Sequence, residues 1–196
     1  MNLSFVTIDN FYDDPDKVRD FALKAEYNKP GQDKLMNIMS MGAWPGQTSL
    51  DVYKYNPIDS VVSKILNKPL RQLSNSGKFR ITYQNQTALS PLHIDSVSSD
   101  GYAGVLYLSD PVVSTPGTLF YKHKKTNSTT VDEQNLKDLE KDINDITKWE
   151  VDTIAYIRYN RLIVYPSNRW HGAAPGFGTT IDNARLVQLF LWGVVE

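Results

Sequence analysis

The sequence contains no cysteine among its 196 residues. This absence excludes disulfide bonds, thiolate metal sites and cysteine nucleophiles together, so a metal in this protein has to be held by histidine, carboxylate or water. Histidine is scarce as well, with 3 residues in the whole chain. A site built on imidazoles must therefore draw on His93, His123 and His171.

An excess of charge and a long hydrophobic run are also missing. The chain has 21 basic and 22 acidic residues, a net charge of -1, so it carries no field that attracts nucleic acid or an anionic membrane. No stretch approaches the ~20 apolar residues that cross a bilayer, and the N-terminus does not resemble a signal peptide. We expect a cytoplasmic protein, one domain over residues 1–196, without nucleic-acid or membrane partners.

The first 77 residues favour helices that support a core. A short strand is predicted over Leu3–Ile8, and a helix begins where Asp14-Pro15 supplies an N-cap and a proline in the first turn. Residues 29–50 are rich in glycine, proline and polar residues and predict a long loop, and a second helix follows Asn56-Pro57.

Residues 78–196 change to short apolar and aromatic runs separated by turn residues, which indicates a β domain. A polar interruption over residues 122–150 carries Leu136, Leu139, Ile143 and Ile146 at helical spacing, so we predict a helical insertion there. The fold class is therefore α+β, with N-terminal helices packed on an antiparallel sandwich or barrel. The predicted strands are Phe79–Tyr83, Ala103–Leu108, Thr118–Tyr121, Ile154–Ile157, Leu162–Tyr165 and Leu186–Trp192.

Two of the three histidines lie near strand ends. Residues i and i+2 of a strand point to the same side, so His93 and Asp95 can present an imidazole and a carboxylate to one centre, which a distant His171 can complete. Two histidines and one carboxylate form the facial ligand set of non-heme iron(II) oxygenases. Taken alone, however, His-x-Asp is a common pattern, and a lone histidine is more often a surface or core residue. We interpret His123, within Lys-His-Lys-Lys, as part of a solvated basic turn.

The wider pattern from about Phe79 to the C-terminus resembles the Fe(II)/2-oxoglutarate dioxygenase superfamily, most closely its prolyl-hydroxylase-like branch. That family has a strand with tyrosine, the His-x-Asp pair, a strand ending in Tyr-Leu-Asn, a glycine-rich strand, and a distal histidine followed by a basic residue on the next strand. The corresponding residues here, in the same order, are Arg80-Ile81-Thr82-Tyr83, His93-Ile94-Asp95, Leu106-Tyr107-Leu108-Ser109, Pro116-Gly117-Thr118-Leu119-Phe120, His171 and Arg185.

This resemblance implies a double-stranded β-helix, or jelly-roll, in which His93, Asp95 and His171 are the catalytic ligands of Fe(II). It implies that Arg185 binds the far carboxylate of 2-oxoglutarate, a role that suits a guanidinium because it forms two hydrogen bonds and keeps its charge. Hydroxyl hydrogen bonds to the same cosubstrate are expected from Tyr83 and Tyr107. O₂ is the second substrate, and ascorbate is expected to stimulate turnover.

The activity implied by the resemblance is hydroxylation of a C–H bond with release of succinate and CO₂. The substrate is a prolyl or other peptidyl side chain, which needs a long groove, or else a free amino acid or small metabolite, which needs a closed pocket. A metal-binding jelly-roll module without turnover is the alternative from another function class. The loop around Trp44 and the 122–150 insertion either line the substrate site as walls or a lid, or are a surface loop and a structural helix.

Overall fold

The computed structural model of the protein describes residues 4–28, 46–86, 92–110, 112 and 114–195. Within these ranges the chain forms three α-helices: α1 (Pro15–Lys24), α2 (Pro57–Leu66) and α3 (Leu136–Glu140). The strands are β1 (Val6–Ile8), β2 (Gln47–Val52), β3 (Leu70–Gln72), β4 (Lys78–Thr82), β5 (Gly101–Tyr107), β6 (Pro116–His123), β7 (Trp149–Tyr156), β8 (Arg161–Pro166), β9 (His171–Ala173) and β10 (Arg185–Val194).

The described strands pair in two antiparallel sheets. The larger sheet has the order β1-β8-β5-β10-β4-β2, with β3 also paired to β10, and the smaller sheet has the order β7-β6-β9. Strands far apart in the sequence are therefore neighbours in space, as in a jelly-roll. The N-terminal strands β1, β2 and β3 pair with β8, β4 and β10 respectively, so the N-terminal part of the chain extends the larger sheet.

Alternation of side chains along β10 gives the larger sheet two different faces. Leu186 and Phe190 face a core that also contains Ile58 of α2, so the helices cover this side of the sheet. Val187 and Leu189 point the other way, into a second core between the two sheets. The helices thus support one face from outside, and the opposite face forms the interior of the barrel.

The predicted α+β jelly-roll with N-terminal helices is confirmed. Helix α1 starts at Pro15, and the side chain of Asp14 accepts a hydrogen bond from the Lys17 amide at 3.1 Å, as expected for an N-cap. Helix α2 starts at Pro57, although Asn56 makes no capping hydrogen bond through its side chain. No helix in the described part of the chain is both long and apolar enough to cross a membrane.

Two predictions about the irregular segments need correction. The predicted loop over residues 29–50 is wrong at its end, because Gln47 and Thr48 begin β2 and pair with Ile81 and Arg80. Polar side chains hid this strand from the sequence pattern. Residues 29–45, including the Trp44 loop, lie outside the described residues.

The insertion between β6 and β7 contains a shorter helix than its apolar spacing suggested. Helix α3 covers Leu136–Glu140, and a separate 3₁₀ helix covers Ile146–Lys148. Leu139 and Ile143 are buried against the smaller sheet, whereas Ile146 is 51% exposed. The predicted apolar stripe is therefore present only over its first part.

Packing of α2 on the larger sheet gives a direct test of this arrangement. Ile58 is fully buried, so Ile58→Ala should lower the free energy of unfolding by about 2–5 kcal/mol, through lost burial and a residual cavity. Ile65 lies on the same helix but is 45% exposed, so Ile65→Ala should cost no more than the roughly 0.5 kcal/mol typical of surface sites. Urea unfolding of both variants measures the difference; equal losses would contradict the packing described.

Candidate metal centre

Backbone hydrogen bonds bring the two histidine segments together. The amide of His93 donates to the carbonyl of His171 at 2.8 Å, and the amide of His171 donates to the carbonyl of His93 at 2.9 Å. The amide of Asp95 donates to the carbonyl of Ser167 at 2.9 Å, which fixes the carboxylate beside the same edge. The His-x-Asp segment is thus held alongside the chain that leads into β9.

The side chains of His93, Asp95 and His171 converge on one point. Each offers one potential ligand atom, and these atoms lie within 4.8 Å of one another. The Nε2 atom of His171 is 3.5 Å from one carboxylate oxygen of Asp95, and the Nε2 atom of His93 is 4.0 Å from the other. The structure therefore brings together the three residues that the sequence singled out. Two imidazoles and a carboxylate form a ligand set that suits a divalent metal.

The imidazole of His171 is already oriented for a ligand. Its Nδ1 atom lies 2.8 Å from the carbonyl oxygen of Arg169, so Nδ1 carries the proton and donates it. In the neutral form of this ring Nε2 is the acceptor, and the hydroxyl of Tyr165, 3.0 Å away, can donate a hydrogen bond to it. A hydrogen bond from Nδ1–H to a backbone carbonyl is the usual way in which a metal-binding histidine is fixed.

Asp95 lies in an environment that disfavours its charge in the absence of a cation. Burial raises the pKa of its carboxyl group, and the opposite effect of the nearby His171 and Arg80 is smaller, so the pKa is raised overall. The side chain as a whole is 23% exposed, but its Oδ2 atom is enclosed and has no hydrogen-bond partner among the described residues. A bound metal cation would satisfy this oxygen, so the residues present fit a metal ion.

The three side chains line a cavity of about 550 Å³ in the barrel interior. Its wall combines residues of both sheets, and the cavity also contains the side chains of Thr118, Tyr165 and Arg185. A volume of this size is typical of small-molecule and cofactor sites. The metal centre therefore opens into a space that can accept a ligand.

Arg185 is buried in the wall of this cavity with 3% of its surface exposed. Its Nη2 atom donates to the carbonyl of Gly117 at 3.0 Å, and its Nε atom is buried with no hydrogen-bond partner among the described residues. Desolvation lowers the pKa of this guanidinium, and the neighbouring Tyr107 and Tyr165 oppose that shift. Arg185 thus has hydrogen-bonding capacity left for an anion.

The two predicted tyrosine donors lie in different places. Tyr107 is fully buried, and its hydroxyl pairs with the hydroxyl of Thr118 at 2.8 Å, so it lies behind a residue of the cavity wall. Burial raises the pKa of Tyr107 to about 12, which keeps the phenol neutral. Tyr83 packs against the core on the helix side and is not among the described residues of the cavity wall. The structure therefore does not bring Tyr83 to the metal centre.

Tyr165 is the tyrosine whose hydroxyl meets the metal centre, and the sequence analysis missed it. It lies on β8, two residues from Ile163, and both side chains point into the barrel interior. The alternation of β8 was visible in the sequence, but it gave no reason to separate a functional tyrosine from a packing residue. Burial raises the pKa of Tyr165 well above its ordinary value, so its hydroxyl stays protonated and able to donate.

The remaining residues considered near the distal histidine have structural contacts. Arg169 is buried and forms a salt bridge with Asp152 at 2.6 Å, and Trp170 is fully buried in a core of the smaller sheet. His123 is 2% exposed and contacts Asp142 at 3.1 Å, so the interpretation of a solvated basic turn is wrong. The burial of His123 was not evident from the sequence, because its charged neighbour Lys122 points to the other face of β6 and Lys124 and Lys125 follow the end of the strand.

The electrostatics of Asp95 generate a prediction for the metal-free protein. A carboxyl group whose pKa is raised on folding destabilises the fold when ionised, and this cost disappears below the pKa of the unfolded chain. Asp95→Asn should therefore raise the thermal stability of the metal-free protein at neutral pH, with the gain vanishing at acidic pH. Thermal unfolding across pH measures this, with the exposed Asp100→Asn as control. A gain that did not depend on pH would contradict the assigned cause.

Comparisons with known proteins agree with this architecture. Residues 2–177 match the model of a family described as "Family of unknown function (DUF6445)". No curated protein matches the chain.

Two solved structures show the fold. HygX from Streptomyces hygroscopicus, solved with nickel, 2-oxoglutarate and hygromycin B bound, is 12% identical, with a TM-score of 0.55 over 97% of this chain and 82% of that chain. SnoK, a non-heme alpha ketoglutarate dependent carbocyclase from nogalamycin biosynthesis, is 13% identical, with a TM-score of 0.58 over 97% of this chain and 79% of that chain.

The resemblance to the superfamily is thus confirmed at the level of the fold, while the branch within it remains a prediction. The chain belongs to the family of unknown function DUF6445, and its fold is the double-stranded β-helix of the Fe(II)/2-oxoglutarate-dependent oxygenases.

Proposed function

We propose that this protein is an Fe(II)- and 2-oxoglutarate-dependent dioxygenase that hydroxylates a C–H bond of its substrate. One observation carries the proposal: the cluster of His93, Asp95 and His171 shares a cavity with the buried guanidinium of Arg185. Bound together, Fe(II), 2-oxoglutarate and O₂ supply the oxidative chemistry, with succinate and CO₂ formed from the cosubstrate. The residues of the cavity hold these groups in place and limit the access of water.

His93, Asp95 and His171 would hold the metal. They offer two imidazole nitrogens and one carboxylate oxygen from one side of the site, which leaves coordination positions for other ligands. The Oδ2 atom of Asp95, which makes no hydrogen bond with the described residues, and the oriented Nε2 atom of His171 support this role. Carboxylate and imidazole are also ligands that suit iron.

Arg185 would bind the far carboxylate of 2-oxoglutarate. Three observations support this role: its burial, its place in the same cavity as the three candidate ligands, and its Nε atom, which makes no hydrogen bond with the described residues. Thr118 and Tyr165 lie on the cavity wall with hydroxyl groups that can donate to the cosubstrate, and Tyr107 would act indirectly by orienting Thr118. The assignment of Tyr83 as a donor has no support from its position.

Of the two substrate classes considered, the size of the cavity favours a small molecule over a peptidyl side chain. A volume of about 550 Å³ falls in the range of small-molecule sites, whereas a peptide needs an extended groove. HygX, with the same fold, holds hygromycin B, a small molecule, in its crystal structure.

The pairing of β1, β2 and β3 with core strands supports one oxygenase domain over the whole chain.

Formation of succinate tests the proposed activity. Purified protein incubated with Fe(II), 2-oxoglutarate and ascorbate under air should form succinate slowly even without its substrate. Asp95→Ala removes the single carboxylate ligand and should reduce succinate to the level without protein, whereas the exposed Asp100→Ala should retain the wild-type rate. Binding of both Fe(II) and 2-oxoglutarate with no succinate would favour the alternative, a metal-binding module without turnover.

The role of Arg185 predicts a selective binding defect. Arg185→Met should weaken 2-oxoglutarate binding roughly 10- to 100-fold, the value of a charged hydrogen-bonding partner, while affinity for Fe(II) stays nearly unchanged. Anaerobic calorimetry measures both affinities, and circular dichroism verifies that the variant folds. Arg71, an exposed residue of β3, provides the matched control Arg71→Met. Unchanged 2-oxoglutarate affinity in Arg185→Met would assign the role to another cation.

A further inference from the structure

The turn between β8 and β9 holds the imidazole of His171 through a backbone group. The carbonyl oxygen of Arg169 lies 2.8 Å from the Nδ1 atom of His171 and accepts its hydrogen bond. The amide of Arg169 donates to the carbonyl of Pro166 at 3.0 Å, which closes the turn. The position of Arg169 therefore decides whether Nδ1 of His171 keeps its acceptor.

The side chain of Arg169 is anchored in the smaller sheet. Arg169 is 4% exposed, and its Nη2 atom donates to the Oδ2 atom of Asp152 on β7 at 2.6 Å. The guanidinium carbon also lies 5.1 Å from the ring centroid of Phe120 on β6, within the range of a cation–π contact. Phe120 is in turn paired with His171 across the sheet. One side chain thus connects the turn before His171 to both β7 and β6.

Asp152 occupies an irregular position of β7. Phe120 pairs with Thr153 and the next residue, Tyr121, pairs with Val151, so Asp152 is the extra residue of a β-bulge. Bulges change the direction of a side chain and are frequent at sheet edges and beside active sites. The hydroxyl of Thr153 donates to Oδ2 of Asp152 at 3.1 Å, which fixes the carboxylate further. The bulge therefore presents a fixed carboxylate to the guanidinium of Arg169.

We infer that the ion pair of Asp152 and Arg169 positions His171 for metal binding, by fixing the backbone carbonyl that holds Nδ1 of this histidine. This inference rests on the proposed function and adds two positioning residues to the same metal centre. While Nδ1 donates to that carbonyl, Nε2 is the ring nitrogen that can bind a metal.

Loss of the ion pair has a direct route to the imidazole. Without Asp152 the charge of Arg169 would be left buried and unpaired, which is strongly unfavourable, so the turn has to shift until the guanidinium meets water. The carbonyl of Arg169 moves with the turn, and Nδ1 of His171 loses its acceptor. The tautomer with the proton on Nε2, which cannot bind a metal through that atom, then becomes populated.

Two variants remove the ion pair, Asp152→Asn and Arg169→Met, and a third, Asp152→Glu, keeps a carboxylate at the bulge. Glu150→Gln is the local control, because it breaks the neighbouring ion pair of β7 with Lys122. Ile58→Ala is the control for lost stability alone, since Ile58 packs on the opposite face of the larger sheet. Circular dichroism verifies that each variant folds.

Two measurements follow the metal centre. Anaerobic calorimetry gives the affinity for Fe(II) in the absence of 2-oxoglutarate. Nitrogen NMR of metal-free protein labelled at its histidine rings, recorded at alkaline pH, distinguishes the two neutral tautomers of His171. The signals of the three histidines are assigned from single variants of each.

Asp152→Asn and Arg169→Met should each weaken Fe(II) binding roughly 10-fold or more, as loss of an outer-shell partner usually does, and should populate the Nε2–H tautomer of His171. Asp152→Glu should recover part of both losses, and the two controls should match the wild type. Either an unchanged Fe(II) affinity or an unchanged tautomer in Asp152→Asn would overturn the inference. So would an equal loss in Ile58→Ala, because lower stability alone would then explain it. Wild-type protein that binds no Fe(II) would instead overturn the proposed function.

Discussion

The reciprocal pair of backbone hydrogen bonds between His93 and His171 is the contact on which the metal centre depends. It joins a segment that precedes β5 to the start of β9, and thereby sets two imidazoles beside each other with ring centroids 4.1 Å apart. The amide of Asp95 repeats the same kind of contact with Ser167. Because backbone groups make these contacts, the positions of the three side chains follow from the fold itself rather than from flexible side-chain interactions.

The cavity combines features that oppose folding unless a ligand is present. Within the described part of the chain, the enclosed Oδ2 atom of Asp95 makes no hydrogen bond, and neither does the buried Nε atom of Arg185. Each group costs stability, and each is opposite in sign to the ligand proposed for it. Such groups are expected where a site is prepared for binding, because a polar atom that is satisfied within the protein has less capacity for a ligand.

Much of the fold and the grouping of His93, Asp95 and His171 could be predicted from the sequence, because both depend on local patterns. The alternation in β5, β8 and β10 and the Asp14-Pro15 helix start are visible without any knowledge of distant contacts. The His-x-Asp spacing likewise follows from strand geometry. The strand at Gln47 was missed because its pairing with β4, and not its own composition, makes it a strand.

The tyrosines considered as cosubstrate ligands cannot be told apart by such local patterns. Tyr83 and Tyr165 both lie beside apolar runs, and only the sheet arrangement decides which of them faces the barrel interior. His123 was misjudged for a related reason, since burial on one face of β6 is independent of the charges of its neighbours on the other. Which side of a strand is buried is a property of the whole fold.

We propose that one cavity, lined by His93, Asp95, His171 and Arg185, holds a metal at the first three residues and a dicarboxylate that reaches from the metal to Arg185. The most direct test is anaerobic calorimetry of 2-oxoglutarate binding with and without Fe(II), because a cosubstrate that coordinates the metal should bind more tightly when the metal is present, and this coupling is reciprocal. We expect one Fe(II) per chain and 2-oxoglutarate binding that is much tighter when Fe(II) is present. Equal affinity for 2-oxoglutarate with and without Fe(II), or no binding of Fe(II), would contradict it.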